Sequence, residues 1–405
     1  MSDGIPPVTY GLHPRPCPSC GESIAQDANF CESCGAQLGD VTEADAQAAP
    51  AVVRPGTLPI SLPTSMLTES GTPAARRECT ECGGTVGPDL YCEQCGTKAP
   101  SEREHFRETP ASWVAGVCDR GVKRTRNEDA LAVIASETPG ERCVLIVLDG
   151  VSSSTDSDVA SLAGARAARD RLATHIPRGL GTPESRESAV HQAITDAVEA
   201  AQAAIVAHTE SVSENPASAT FTCVVLEAEP EGPVAWHANL GDSRCYWFPD
   251  AGEAVQLTRD DSAAEALIDA GATPEQAYGS QQSHAITRWL GRDSDNTVPT
   301  IGRLAITEDG WLLACSDGLW NYAREASVLA AQLRIAVLAS SGEPERVALA
   351  LVQWASDQGG HDNITVALAR VGEPVVGEDG EPAGVPSGDA TTHDATADDM
   401  TASKE

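Results

Sequence analysis

The sequence predicts an α+β fold: antiparallel β-sheets stacked as a sandwich, flanked by α-helices and preceded by two small zinc ribbons. Three observations predict it. A short apolar run that stops abruptly at a carboxylate and a glycine occurs twice, as CVLIVLDG (residues 143–150) and WLLACSDG (311–318). Strand-like runs and helical stretches follow one another from about residue 113 to 371. Four CxxC pairs, each followed by glycine, crowd the first hundred residues. At 405 residues the chain has room for one large domain plus appended modules.

Composition narrows the function classes. The formal net charge of -33 argues against nucleic acids or anionic membranes as partners, because a polyanion would be repelled. Most of the 13 cysteines sit in CxxC units and not in a dispersed disulfide pattern, which favours metal binding in a reducing cytosol. The opening MSDGIPPVTYGLHPRP has no apolar core of the kind a signal peptide needs, and no run reaches the length of a membrane span. The expectation is a soluble cytoplasmic protein.

The first module spans residues 14–38, where Cys17 and Cys20 face Cys31 and Cys34 across a hairpin-sized segment. The second spans 77–98, with Cys79 and Cys82 facing Cys92 and Cys95. CxxC turns backbone amides toward two thiolates, and two such knuckles complete a tetrahedral S4 site. Each ribbon thus calls for one structural Zn2+, and four cysteine ligands leave no open position for catalysis. Such small units take their folding energy from the metal. The knuckles carry Glu22, Glu32, Glu81 and Glu93, so a protein partner or a regulatory role fits them better than nucleic acid. Between the ribbons, residues 39–76 form an Ala/Pro-rich linker without helical or strand period.

After a charged connector at 101–110, the main domain is expected over 112–371. It opens with VAGVCD and a charged loop holding Arg124, Glu128 and Asp129, followed by strands at 130–135 and 143–148. Arg124 is a candidate phosphate ligand because a guanidinium matches phosphate oxygens bidentately; Lys123 and Arg126 read as solvated charges. Helices follow at 156–176 and 183–206, the second with Thr182 as N-cap and Pro183 in its first turn. Strands return at 219–226, 233–240 and 245–248, with Asp242 projecting from the turn between the last two. Arg244 reads as the structural partner of a nearby carboxylate. A short helix at 263–270 and a polar loop at 279–283 precede the strand at 311–315, helices at 325–338 and 344–357, and a last strand at 364–369. Asp149 and Asp317 end strands while Asp362 starts one, and antiparallel pairing brings such ends together at one edge of a sandwich. Carboxylates gathered there suit Mg2+ or Mn2+.

In order along the chain stand Arg124-x-x-Asn127-Glu128-Asp129, Leu148-Asp149-Gly150, Asn239-x-Gly241-Asp242-Ser243-Arg244, Leu257-Thr258, Ile286-Thr-Arg288-x-Leu290-Gly291, Ser316-Asp317-Gly318-Leu319-Trp320 and Asp362-Asn363-Ile364-Thr365. Together these residues resemble the metal-dependent (PPM-type) protein phosphatase 2C family of serine/threonine phosphatases, over roughly 112–371. The resemblance implies a phosphatase 2C-like sandwich of two antiparallel sheets flanked by helices. It implies that Asp149 bridges two Mn2+ or Mg2+ ions with the Gly150 carbonyl as a further ligand. Asp317 and Asp362 would hold one ion, Glu128 would lie on the side of the other, and Asp242 with Asp317 would take the third ion of some family members. Arg124 would bind the substrate phosphate. The family continues Asp-Gly with one residue and a glycine pair, and some members place a histidine implicated as general acid at the first of these positions. Here Val151-Ser152-Ser153 stands instead, so the proton would come from water or another group, with His284 and His361 as candidates.

The function expected is hydrolysis of phosphoserine and phosphothreonine in phosphoproteins, such as substrates of serine/threonine kinases, with the ribbons serving partner binding or regulation. The alternative is a pseudophosphatase acting as a protein-binding platform. The tail, 372–405, is rich in Gly, Pro, Ala, Thr and acids and is expected to be disordered.

Overall fold

The computed structural model describes residues 15–16, 23–24, 82, 84–87, 91–96, 103–209, 213–280 and 282–373. The linker 39–76, the tail beyond 373, and Cys17, Cys20, Cys31, Cys34 and Cys79 lie outside the described residues. In the first ribbon region β1 (Arg15–Pro16) pairs antiparallel with β2 (Ser23–Ile24). In the second, Val86 and Cys92 form an antiparallel bridge.

The main domain runs through β3 (His105–Ala111), β4 (Val114–Asp119), β5 (Ala130–Ala135), β6 (Arg142–Leu148), α1 (Ser157–Arg171) and α2 (Pro183–Ala207). It continues with β7 (Ser218–Ala219), β8 (Phe221–Glu229), β9 (Gly232–Leu240), β10 (Arg244–Pro249), β11 (Val255–Gln256), α3 (Ala263–Asp269) and α4 (Pro274–Tyr278). It closes with β12 (Leu290–Gly291), β13 (Thr300–Ala305), β14 (Gly310–Cys315), α5 (Asp317–Trp320), α6 (Ala326–Ala339), α7 (Pro344–Asp357) and β15 (Ile364–Val371). One sheet has the order β11-β10-β14-β15-β4-β3 and the other β13-β9-β8-β6-β5, and neighbours in both are antiparallel.

Strand β6 shows why its sequence is apolar without a break. Val144, Ile146 and Leu148 pack beneath α1 and α2, while Cys143, Leu145 and Val147 fill the space between the sheets. Side chains alternate across a strand, so a strand covered on both faces loses the polar half of its pattern. Helices α6 and α7 cover the other sheet, with Leu329, Leu333, Val347 and Leu351 against Tyr246, Leu313, Val366 and Leu368. Helix α2 starts where its signals say: Thr182 Oγ1 accepts the Ser185 amide at 3.3 Å, and Val190, Ile194, Val198, Ala201 and Ile205 are buried.

Two strands differ from the sequence expectation. His105–Ala111, read as connector, is the edge strand β3, so the sheet begins before residue 112. Thr300–Ala305 is β13, an edge strand of the other sheet. Both are half-exposed and carry charges, Gly or Pro, as edge strands do, which erases the strand signal.

Three charges, Arg142, Arg186 and Glu227, are buried together, and the half-buried Glu229 lies beside them. Glu227 takes Arg142 Nε at 3.0 Å on one oxygen and Arg186 Nη2 on the other, and Arg186 Nε reaches Glu229 at 2.6 Å. The same guanidinia donate to the carbonyls of Leu172, Thr174 and Ile176, closing the segment between α1 and α2 onto the sheet. Among the described residues, no helix is long and apolar enough to cross a membrane.

Candidate active site

Strand pairing decides what meets at one end of the sandwich. Cys315 faces Val366 across β14 and β15, so the chain leaving β14 with Asp317 lies beside the chain entering β15 with Asp362. Ala130 faces Leu148, which sets Glu128 and Asp129 next to Asp149. Arg244 faces Cys315, which brings in the β9–β10 turn with Asp242. Two glycines permit the crowding. A Cβ on Gly150 would lie 2.5 Å from the Glu128 carbonyl oxygen, and one on Gly318 would lie 1.9 Å from that of Asn363. Gly318→Ala must therefore push the 362–363 backbone away from Asp317. We expect a loss of about 1–3 kcal/mol in urea unfolding.

The side chains divide into two groups. Asp149, Asp242, Asp317 and Asp129 lie close enough to one another and to Asp362 for like charge to add to burial in raising their affinity for protons. Asp129 Oδ2 accepts Ser316 Oγ at 2.6 Å and Thr365 Oγ1 at 2.7 Å, while Oδ1 is buried without a partner. Asp317 Oδ2 accepts Asn321 Nδ2 at 3.0 Å, and its Oδ1 is likewise buried and orphaned. Glu128 stands apart: its Oε1 takes Arg126 at 2.7 Å and Ser157 Oγ at 2.6 Å. Arg124 forms a two-pronged pair with Asp362, at 2.8 and 2.6 Å. Among the described residues, the only three ligand atoms within 4.8 Å of one another are the thiols of Cys82, Cys92 and Cys95; no three carboxylates gather as closely. In that thiol group, the amides of Cys95 and Gln94 point at Cys92 Sγ and pull its pKa down.

Burial and the surrounding like charges push Asp149 and Asp317 well above the carboxylate range. Asp129 and Asp242 are raised to about 7, each chiefly by burial. Burial disfavours the Arg124 cation, but the Asp362 pair and the charges of Glu128 and Asp149 outweigh it and raise its pKa. A carboxylate raised on folding holds protons that the unfolded chain has released, so these groups cost stability as pH rises through about 7. Without added divalent cation, the unfolding midpoint should rise as pH is lowered from about 8 to about 6. Adding Mn2+ should raise the midpoint at the upper pH, since binding to the folded state alone stabilises it. A midpoint insensitive to both would contradict a mutually repelling acid cluster.

Three residues take places beyond those the sequence reading assigns them. Asp129 satisfies the same criterion as Asp149, an acid at the tip of an apolar run, and that signal was available. Arg126, read as a solvated charge, instead pairs with Glu128. Asn363 ties the Arg124 loop to β15: its Oδ1 accepts the Glu128 amide at 2.7 Å, and its Nδ2 donates to the Arg120 and Arg126 carbonyls at 2.8 and 3.0 Å. Arg244 meets the structural expectation, gripping Asp260 with both prongs over the Trp320 ring. After Asp149 and Gly150, the Val151 amide donates to the Ser218 carbonyl, and Ser154 Oγ closes the turn onto the Val151 carbonyl at 2.6 Å.

Residues 121–356 match the sequence model of the family described as protein phosphatase 2C. Residues 17–96 match that of the double zinc ribbon. Serine/threonine protein phosphatase PstP of Mycobacterium tuberculosis is 33% identical over 256 residues, 62% of this chain and 44% of that protein. Protein phosphatase PhpP of Streptococcus pneumoniae is 35% identical over 140 residues, 34% of this chain and 54% of that protein. The chain thus spans about half the length of these curated relatives. The crystal structure of the Mycobacterium tuberculosis serine/threonine phosphatase PstP/Ppp superposes with a TM-score of 0.51 at 26% identity, covering 64% of this chain and 98% of that one.

Proposed function

The chain belongs to the protein phosphatase 2C family, and from that premise we propose that it is a metal-dependent phosphatase of phosphoserine and phosphothreonine in proteins. The observation that carries the reading is the convergence of Asp149, Asp317 and Asp362 from three strand ends, with buried, unpartnered carboxylate oxygens on Asp129 and Asp317. Orphaned anionic oxygens in a low-dielectric site are costly unless a cation takes them, so the donor set fits hard divalent ions. The residues that would hold two ions are Asp149, shared, with the Gly150 carbonyl, Glu128, Asp317 and Asp362. Asp242 with Asp317 would serve a third. When bound, Mn2+ or Mg2+ supplies a water deprotonated near neutral pH and neutralises the charge on the phosphoryl oxygens.

The chain's own residues do the rest. Arg124 would be the phosphate ligand: its guanidinium fork, which grips both oxygens of Asp362, has the geometry to take two phosphoryl oxygens. Glu128 is held in place by Arg126 and Ser157, which both donate to its Oε1. Val151 has no proton to give, and Asp149 and Asp362 are only partly buried, so solvent can reach and protonate the leaving alkoxide. Away from this centre, Cys17, Cys20, Cys31 and Cys34 would hold one structural Zn2+, and Cys79, Cys82, Cys92 and Cys95 another. The gathered thiols of Cys82, Cys92 and Cys95 fit that role. The ribbons would then present a rigid surface to a protein partner, in the cytoplasm.

Phosphate release from phosphothreonine and phosphoserine peptides by the full chain tests this reading. We expect release that requires Mn2+ or Mg2+. Release equal to background with either ion would overturn it.

A further inference from the structure

The stretch that leaves the second cysteine hairpin enters the domain as Arg103, Glu104 and His105, ahead of the residues that match the phosphatase family. Its contacts converge on the loop that carries Arg124. At the start of that loop the Arg120 amide donates to the Glu104 carbonyl at 2.8 Å. His105 Nδ1 meets Asp119 Oδ2 at 2.5 Å, and Asp119 Oδ1 accepts the Gly121 amide at 2.7 Å. At the end of the loop Asn127 Nδ2 donates to the Arg103 carbonyl at 3.2 Å. The Arg103 guanidinium goes further in: Nη2 donates to the Asp158 carbonyl at 2.8 Å and to Ser161 Oγ at 3.2 Å. Ser161 Oγ in turn donates to the Glu128 carbonyl at 2.5 Å.

We propose that Arg103 and His105 are positioning residues for the phosphatase reaction, fastening both ends of the loop so that Arg124 and Glu128 keep their places. The segment after the second ribbon is then part of the phosphatase machinery and not a tether. Burial does not hold the loop, since Val122 is 58% exposed and Lys123 and Arg126 also face solvent. Its order comes from hydrogen bonds: those above, those of Asn363, and the Val122 and Lys123 amides on the Gly360 carbonyl. Arg103 Nη1 is buried without a hydrogen-bond partner, a desolvation cost that an aliphatic side chain filling the same space would avoid. The consequence for catalysis rests on the phosphatase reading, because displacing a phosphate ligand by about 1 Å can cost up to about 100-fold. The fastening itself does not.

The test compares the full chain with Arg103→Met, Arg103→Lys and His105→Phe. Hydrogen exchange is followed at the amides of residues 120–127, and KM and kcat are measured on a phosphothreonine peptide with Mn2+. Arg103→Met should speed exchange in this loop and raise KM roughly tenfold, with kcat falling less. Arg103→Lys, which keeps the charge but not the fork, should lie between it and the natural chain. His105→Phe should speed exchange chiefly at Gly121. A residue serving stability alone would lower the folded fraction and the apparent kcat and leave KM unmoved. Unchanged loop exchange and KM in folded Arg103→Met overturn the proposal; should that variant not fold, the same result in Arg103→Lys does. A natural chain that hydrolyses no peptide sinks the phosphatase reading, and loop exchange alone then decides the fastening, faster supporting it and unchanged overturning it.

Discussion

Asp149→Asn should reduce phosphate release from a phosphothreonine peptide by on the order of 1,000-fold or more. Asp149 follows β6 directly, and its backbone is pinned on both sides by Thr220: the Asp149 amide donates to Thr220 Oγ1 at 2.9 Å, and its carbonyl accepts the Thr220 amide at 2.8 Å. Asparagine keeps the size and can keep both contacts, so the fold should survive. What it removes is the charge shared between the proposed cations. Because like charges and burial raise the proton affinity of Asp149, its neutral replacement should also stabilise the chain when no divalent cation is added. Lower activity together with an equal or higher unfolding midpoint is the expected pair of results. Activity within tenfold of the natural chain would remove Asp149 from the centre of the mechanism.

Glu227→Ala should be the most destabilising single change outside the site, by about 3–5 kcal/mol. Glu227 lies between Arg142 and Arg186, both nearly inaccessible, and the pair also binds the carbonyls that close the α1–α2 segment. Removing the one carboxylate between two buried guanidinia leaves charge uncompensated where water cannot replace it. Glu229, which holds only Arg186 Nε and is more exposed, should cost less when replaced by Ala. Urea unfolding with Mn2+ present orders the two variants. An equal effect at 227 and 229 would contradict the account of this network.

The strands and helices that bury a face were legible in the sequence because each carries a period. The double cover over β6 and β14 makes unbroken apolar runs, and the stripe on α2 shows as Val190, Ile194, Val198 and Ala201. Edge strands β3 and β13 were not legible, since a half-exposed strand holding charges, Pro or Gly reads like a connector. Within the candidate site, Asp149, Asp317 and Asp362 could be read because each sits at the tip of an apolar run. The partners of Glu128 could not: Ser157 is one of several polar residues at a helix start, and Arg126 looks like any surface cation until Glu128 is placed beside it. Arg124 illustrates the same limit, because its pair with Asp362 joins residues 238 apart in the chain.

The central claim is that this end of the sandwich is a divalent-cation centre that drives phosphate hydrolysis. Titrating Mn2+ into the zinc-loaded full chain in a calorimeter, with phosphopeptide hydrolysis followed at the same concentrations, tests it most directly. The account predicts at least two binding events, with hydrolysis appearing as the second saturates. Hydrolysis at full rate without bound Mn2+ or Mg2+, or a chain that binds neither ion, would contradict it.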